Sequence, residues 1–190
     1  MCLGFSYESF DFCSKQFLFL YNKLEFQKMK NWHIRQIEQK DNQAVAKLIR
    51  TVFNELNIPK IGTAYEDPCL DFMFEEYSKS KSVYFVVENK GKIIGGAGVA
   101  PLKNEVETIC ELQKMYFLPE ARGLGIGGLM MYNCLQSAKD FGFEKCYLET
   151  MPFMHDAQKL YKKVGFEYIC SPMGSTGHVS CPIWMLKNLS

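Results

Sequence analysis

The 190-residue chain balances 22 Lys and Arg against 21 Asp and Glu for a formal charge of +1, with 47% hydrophobic and 23% charged residues. That is enough chain and apolar surface for one domain with its own core. The near-neutral balance excludes the basic footprint of a nucleic-acid binder and the polybasic stretch of a membrane-surface protein, so the expected partners are small molecules.

Residues 1–28 are crowded with Phe and Tyr, but their longest apolar run, residues 17–21, is far short of a membrane span. They lack the basic start and small-residue cleavage site of a secretion signal. Two expectations follow for this N-terminal extension: either Met29 is the biological start, or residues 1–28 form an aromatic helix. The domain proper is expected at 29–190. The eight cysteines (Cys2, Cys13, Cys69, Cys110, Cys134, Cys146, Cys170, Cys181) include no CxxC pair, and several fall on apolar stripes. They read as buried thiols in a reducing, cytoplasmic compartment.

From Trp32 the pattern alternates in the manner of a strand over 32–39. Asp41 is placed to cap a helix running to about Asn57, with Ala44, Leu48, Val52 and Phe53 as its inward stripe. After Pro59 a loop carries Tyr65, Glu66 and Asp67. Pro68 then opens a second helix over 69–78, with Leu70, Met73, Phe74 and Tyr77 on one face. A strand over 82–87, a tight turn at Asn89, Lys90 and Gly91, and a strand over 92–99 make an antiparallel hairpin. Residues 106–118 extend it as a third strand.

There the chain turns from strand to helix through four glycines among six residues, Gly123, Gly125, Gly127 and Gly128. The helix that follows places Ile126, Met130, Cys134, Ala138 and Phe141 on one side. At a helix start several backbone N–H groups lack intrahelical partners and the dipole is positive, so the loop from Arg122 to Gly128 offers a socket for a phosphate. A strand over 145–151, a helix over 155–164 closed by Gly165, and strands over 166–170 and 181–186 complete the chain.

Two readings of the glycines compete. Gly123, Gly125 and Gly128 fit the GxGxxG dinucleotide fingerprint, with Glu149 about 20 residues on. A doubly wound domain, however, needs repeated βα units on a parallel sheet, and here two helices and a hairpin come first. The second reading joins Arg-x-x-Gly-x-Gly, spelled by Arg122, Gly125 and Gly127, to the stretch Leu-Tyr-Lys-Lys-Val-Gly-Phe from Leu160 to Phe166. Those two motifs at that separation resemble the GNAT superfamily of acetyl-CoA dependent N-acetyltransferases.

The resemblance implies a mixed α/β (α+β) fold: a splayed, mostly antiparallel sheet of about seven strands flanked by about four helices. It implies acetyl-CoA as co-substrate and direct acetyl transfer, in a ternary complex, to an amine of a small molecule or peptide. It places the pantetheine and acetyl carbonyl against Met115, Tyr116 and Phe117, and the pyrophosphate on the N–H groups of Arg122, Gly123, Leu124, Gly125, Ile126, Gly127 and Gly128. Glu111 stands where a glutamate base is found in one branch of the family, and Tyr161 where the proton donor to the departing thiolate is found. One departure is Met154, where the family often has an Asn, with His155 and Asp156 as its expected substitutes.

Deprotonating an amine of pKa near 10.4 at pH 7 costs about 4.6 kcal/mol, which is the work a base at Glu111 would do. No metal is expected, since His178 and Cys181 have a ligand-like spacing but no second pair. Cys110 beside Glu111 has no histidine predicted near it to make it a nucleophile. The acceptor is expected near Tyr65, Glu66 and Asp67, and a homodimer is left open. The rival functions are a non-catalytic acyl-CoA binding or sensing module and the dinucleotide-binding protein.

Overall fold

The computed structural model describes residues 32–189. The two readings of residues 1–28 and the start at Met29 therefore lie outside the described residues. One compact unit, Ile34–Ser190, carries the elements below from the third residue of β1 onward.

Seven strands, β1 (Trp32–Gln36), β2 (Val83–Asn89), β3 (Lys92–Pro101), β4 (Ile109–Phe117), β5 (Lys145–Thr150), β6 (Glu167–Tyr168) and β7 (Ile183–Asn188), form one open sheet in the order β1-β2-β3-β4-β5-β7-β6. The β2–β3, β3–β4, β5–β7 and β6–β7 pairs are antiparallel, and β4–β5 is parallel. Among the described residues four helices accompany it: α1 (Asn42–Glu55), α2 (Met73–Tyr77), α3 (Ile126–Asp140) and α4 (His155–Val164). This is the mixed, mostly antiparallel architecture expected from the sequence. Among the described residues no helix is long and apolar enough to cross a membrane.

The β2–β3 turn is tighter than read. Asn89 pairs with Lys92, and only Lys90 and Gly91, with φ of 49° and 80°, make the loop, as a two-residue turn with both residues left-handed requires. Helix α1 buries Leu48, Val52 and Phe53 of the expected inward stripe together with Val45, Ala46 and Ile49, while Ala44, expected on that stripe, is exposed. Asp41 does not cap it. Its carboxylate accepts from the Glu38 N–H (2.8 Å) and from Arg35 (2.6 and 2.9 Å). Helix α2 is half the expected length because residues 67–72 close into successive turns, Leu70 N–H to Asp67 O and Phe72 N–H to Cys69 O. Its first turn is started by the Asn42 side chain, which accepts from the Phe74 N–H at 2.7 Å.

The feature that positions the site is the divergence of β4 from β5. They pair only through Ile109↔Lys145, Cys110↔Cys146 and Glu111↔Tyr147. Beyond that point β4 continues on β3 and β5 continues on β7. Within β4 the register on β3 slips between Gly98↔Gln113 and Gly96↔Tyr116, with Lys114 at φ 50°. Such a bulge bends the strand that carries it. The Tyr84 hydroxyl, buried under β3, donates to the Lys114 carbonyl at 2.9 Å and holds the bend. Glycines make room for this: a Cβ at Gly98 would stand 2.6 Å from the Val83 carbonyl and 2.7 Å from the Tyr77 and Tyr84 rings.

Candidate active site

At the N-terminus of α3, Gly123 and Gly125 take φ of 71° and 75°, and a Cβ on either would meet nothing within 4 Å. Among the described residues, the backbone N–H groups of residues 123–128 donate to no protein acceptor. The Arg122 N–H is different, since it donates to the Pro119 carbonyl at 3.1 Å. The row of open donors therefore begins one residue later than expected. The Arg122 guanidinium donates to both Glu55 oxygens (2.6 and 2.8 Å) and, through Nε, to the Phe117 carbonyl at 2.9 Å, which braces the loop against α1 and β4.

The loop opens on a cavity of about 630 Å³. Met115, Tyr116 and Phe117 of β4, Arg122, Gly123, Gly125, Ile126 and Gly127 line one side, and residues 153–157, Leu160 and Tyr161 the other. Leu124 and Gly128 do not line it. A smaller cavity of about 50 Å³ shares Met115, Tyr116, Met154 and Tyr161 with the first and continues between the diverging strands to Lys114, Glu149, Thr150 and Cys181.

Tyr161 thus stands where the two spaces meet. It is buried, its hydroxyl has no protein partner among the described residues, and burial pushes its pKa up to about 12. Met154 borders both spaces and its sulfur accepts from the Thr150 hydroxyl at 3.6 Å, whereas His155 and Asp156 border only the larger one.

Glu111 sits at the last β4–β5 pair and is 4% exposed. Burial raises its pKa, partly opposed by Gln113, whose amide donates to Oε2 at 2.6 Å. The Tyr77 hydroxyl in turn donates to Gln113 at 2.7 Å. Glu111 lines neither cavity.

The model of the acetyltransferase (GNAT) family matches residues 49–166, and the uncharacterized N-acetyltransferase YjgM of Escherichia coli is 42% identical over 157 residues, 82% of this chain and 94% of its own. The chain belongs to the acetyltransferase (GNAT) family. A Staphylococcus aureus acetyltransferase of the GNAT family superposes with a TM-score of 0.73 at 23% identity, over 84% of this chain and 99% of that one. The PaiA N-acetyltransferase of Thermoplasma acidophilum superposes with a TM-score of 0.65 at 16% identity, over 83% and 98%. Both likenesses are of fold. The dinucleotide reading falls, because the glycine loop follows a strand paired antiparallel to β3 and β4–β5 is the sheet's one parallel pair among those described.

Within this GNAT chain the negative loop expected to attract an amine is arranged otherwise. Asp67 accepts from Lys114 Nζ at 2.5 Å and faces His178 Nε2 at 3.0 Å. Burial would raise its pKa, but His178 and Lys114 outweigh that and hold it at about 2. Burial would lower His178, and the Asp67 hydrogen bond reverses this. Tyr65 packs its ring on Phe53, and Glu66 accepts from the Gly62 N–H at 3.2 Å. Cys110 is fully buried. Cys170, expected among the buried thiols, is exposed.

The signs of these shifts predict the acid behaviour. The Asp67 contribution, about 2 kcal/mol for a pKa moved from 3.8 to about 2, is present above pH 4 and is lost as pH falls through the folded value. The His178 contribution is present below pH 6.5 and is lost as pH rises through its raised folded pKa. Asp67→Asn should therefore lower Tm at pH 5 and flatten its decline between pH 5 and pH 2. A Tm-against-pH curve parallel to that of the unmodified protein would refute this account of the cluster.

Lys114 and Glu149 are the site groups that sequence reasoning missed. A bulge has no local signature beyond a residue willing to take positive φ, and Glu149 stood out only through the dinucleotide fingerprint.

Proposed function

We propose that this protein transfers the acetyl group of acetyl-CoA to an amine of a small molecule or peptide, directly, within a ternary complex. The observation that carries the reading is the row of open N–H donors at residues 123–128, set at the mouth of a cavity that runs along the bent half of β4 to Tyr161. Hydrogen bonds to a charged group contribute about 1.5–3 kcal/mol each. Three or four of them supply much of a micromolar affinity, about 8 kcal/mol, so the donors suit a diphosphate. The family membership and the N-acetyltransferase relative support the reaction class, and the Thermoplasma PaiA protein was crystallised with coenzyme A.

When bound, the thioester supplies an activated acetyl carbon. The bent half of β4, Met115, Tyr116 and Phe117, borders the gap in which it would lie. The acceptor nitrogen forms the new C–N bond as the C–S bond breaks. Of the two protons that an ammonium sheds, one passes toward Glu111 and the other restores the Tyr161 phenol, whose own proton has gone to the sulfur. Because Glu111 lines neither cavity, we assign its base role through a water. Direct transfer is supported by Cys181, the one thiol lining the inner cavity among the described residues. Burial lifts its pKa to about 12, so it stays a thiol at neutral pH and makes a poor nucleophile. Buried free thiols at Cys110, Cys134 and Cys146 suit the reducing cytoplasm.

Thermal shift and a thiol-release assay test this together. Acetyl-CoA at about a hundred times its Kd should stabilise the protein by about 2.7 kcal/mol, NAD should not, and free thiol should appear only when an amine is added. Binding without amine-dependent thiol release would make the protein an acyl-CoA binding or sensing module.

A further inference from the structure

The inner cavity has one carboxylate among its described lining residues, and it belongs to Glu149, on the strand opposite Glu111. Its two oxygens are held apart in their roles: Oε1 accepts from the Tyr147 hydroxyl at 2.7 Å and Oε2 from the Thr176 hydroxyl at 3.0 Å. A carboxylate has about four acceptor positions, so this one, in a residue that lines the cavity, is oriented by two donors and keeps acceptor capacity beyond them. Among the described lining residues the one cation, Lys114, is committed to Asp67. The other polar groups there are the Thr150 hydroxyl, directed at the Met154 sulfur, the Cys181 thiol and the Tyr116 and Tyr161 phenols. The charge of Glu149 is felt by its surroundings, since it helps raise the pKa of Glu111 and of Cys181, each pushed up first by burial.

We infer that Glu149 is the residue that receives the acceptor: its carboxylate holds the incoming ammonium at the inner end of the gap, and selects cationic amines that carry no carboxylate beside the nitrogen. This rests on the acetyl-transfer reading and specifies its second substrate. An acceptor carboxylate would meet Glu149 with no uncommitted cation in the lining to answer it, whereas an amide or alkyl neighbour would meet apolar surface from Phe53, Ile58 and Met151. The division of labour is that Glu149 binds the nitrogen, while Glu111, on the neighbouring strand opposite Tyr147, takes the proton on through water.

The experiment is steady-state thiol release with glycinamide and glycine as acceptors at saturating acetyl-CoA, for the unmodified protein, Glu149→Gln, Glu149→Asp and Glu111→Gln. Glycinamide should be the better substrate by kcat/KM. Glu149→Gln should raise KM for glycinamide by about tenfold or more, the loss of one charged partner, with kcat within about threefold. Glu149→Asp should fall between, and Glu111→Gln should lower kcat instead. An equal thermal shift by acetyl-CoA in all four proteins shows that fold and cofactor site are intact. The inference is overturned if glycine serves as well as glycinamide, if Glu149→Gln leaves KM unchanged or lowers kcat alone, or if millimolar glycinamide is not turned over. Failure of acetyl-CoA to bind the unmodified protein would instead strike at acetyl transfer itself.

Discussion

Gly125→Val should weaken acetyl-CoA binding by at least about a hundredfold. Gly125 sits at the N-cap of α3 with φ 75° and borders the larger cavity. A Cβ there would touch no protein atom within 4 Å, so the fold has room for the side chain. Two effects remain. A branched residue in the left-handed region costs about 1–3 kcal/mol of backbone strain, felt as a Tm lower by several degrees. The larger effect is that two methyl groups would stand before the N–H row. Losing two charge-assisted hydrogen bonds, about 3–6 kcal/mol together, amounts to more than two orders of magnitude in Kd. Titration calorimetry with acetyl-CoA reads this directly. An undiminished affinity, with the variant folded, would refute the assignment of residues 123–128.

Tyr161→Phe should lower kcat by about 10²–10⁴, the range for a positioned proton donor, while leaving acetyl-CoA affinity near its original value. Burial keeps the phenol in its protonated form, with a pKa of about 12, so the proton is present to be given, and the charge building on the sulfur as the C–S bond breaks must draw it across. The packing of the ring against Phe166, with centroids 6.1 Å apart, survives the substitution. Because the hydroxyl has no protein partner among the described residues, its removal leaves no donor or acceptor stranded, and Tm should hold or rise. A kcat within threefold of the original would assign Tyr161 to the wall of the cavity and the proton to another donor.

Where local chemistry decides the conformation, the elements are found where the residues point. Leu160, Tyr161 and Val164 face inward from a helix that ends at Gly165, with φ 97°, and the structure has that helix over the expected span. The same holds for the glycine loop and the helix start after it. Errors arose where a neighbour overrode local preference. Asp41, a fitting cap by type, is claimed by Arg35 from β1. The α2 segment, helical by periodicity, loses its first turns to contacts with Asp67 and Cys69. The Arg122 side chain, on the rim of the larger cavity, is paired with Glu55 from 67 residues earlier, a partner that no local pattern announces.

The sequence by itself determined the family, the element order and the glycine turn into α3, because glycine placement, helical period and motif spacing act over a few residues and need no knowledge of the rest of the chain. Only the tertiary structure decided the shape of the reaction space. The bulge at Lys114 depends on the register of β4 against β3, and the gap on where β5 stops following β4. The Asp67–His178 contact joins residues 111 positions apart, and Glu149 reaches the cavity only because β5 leans away. Such placements are set by strands packing against one another across the whole sheet, a balance of many long-range contacts that no short window of residues contains.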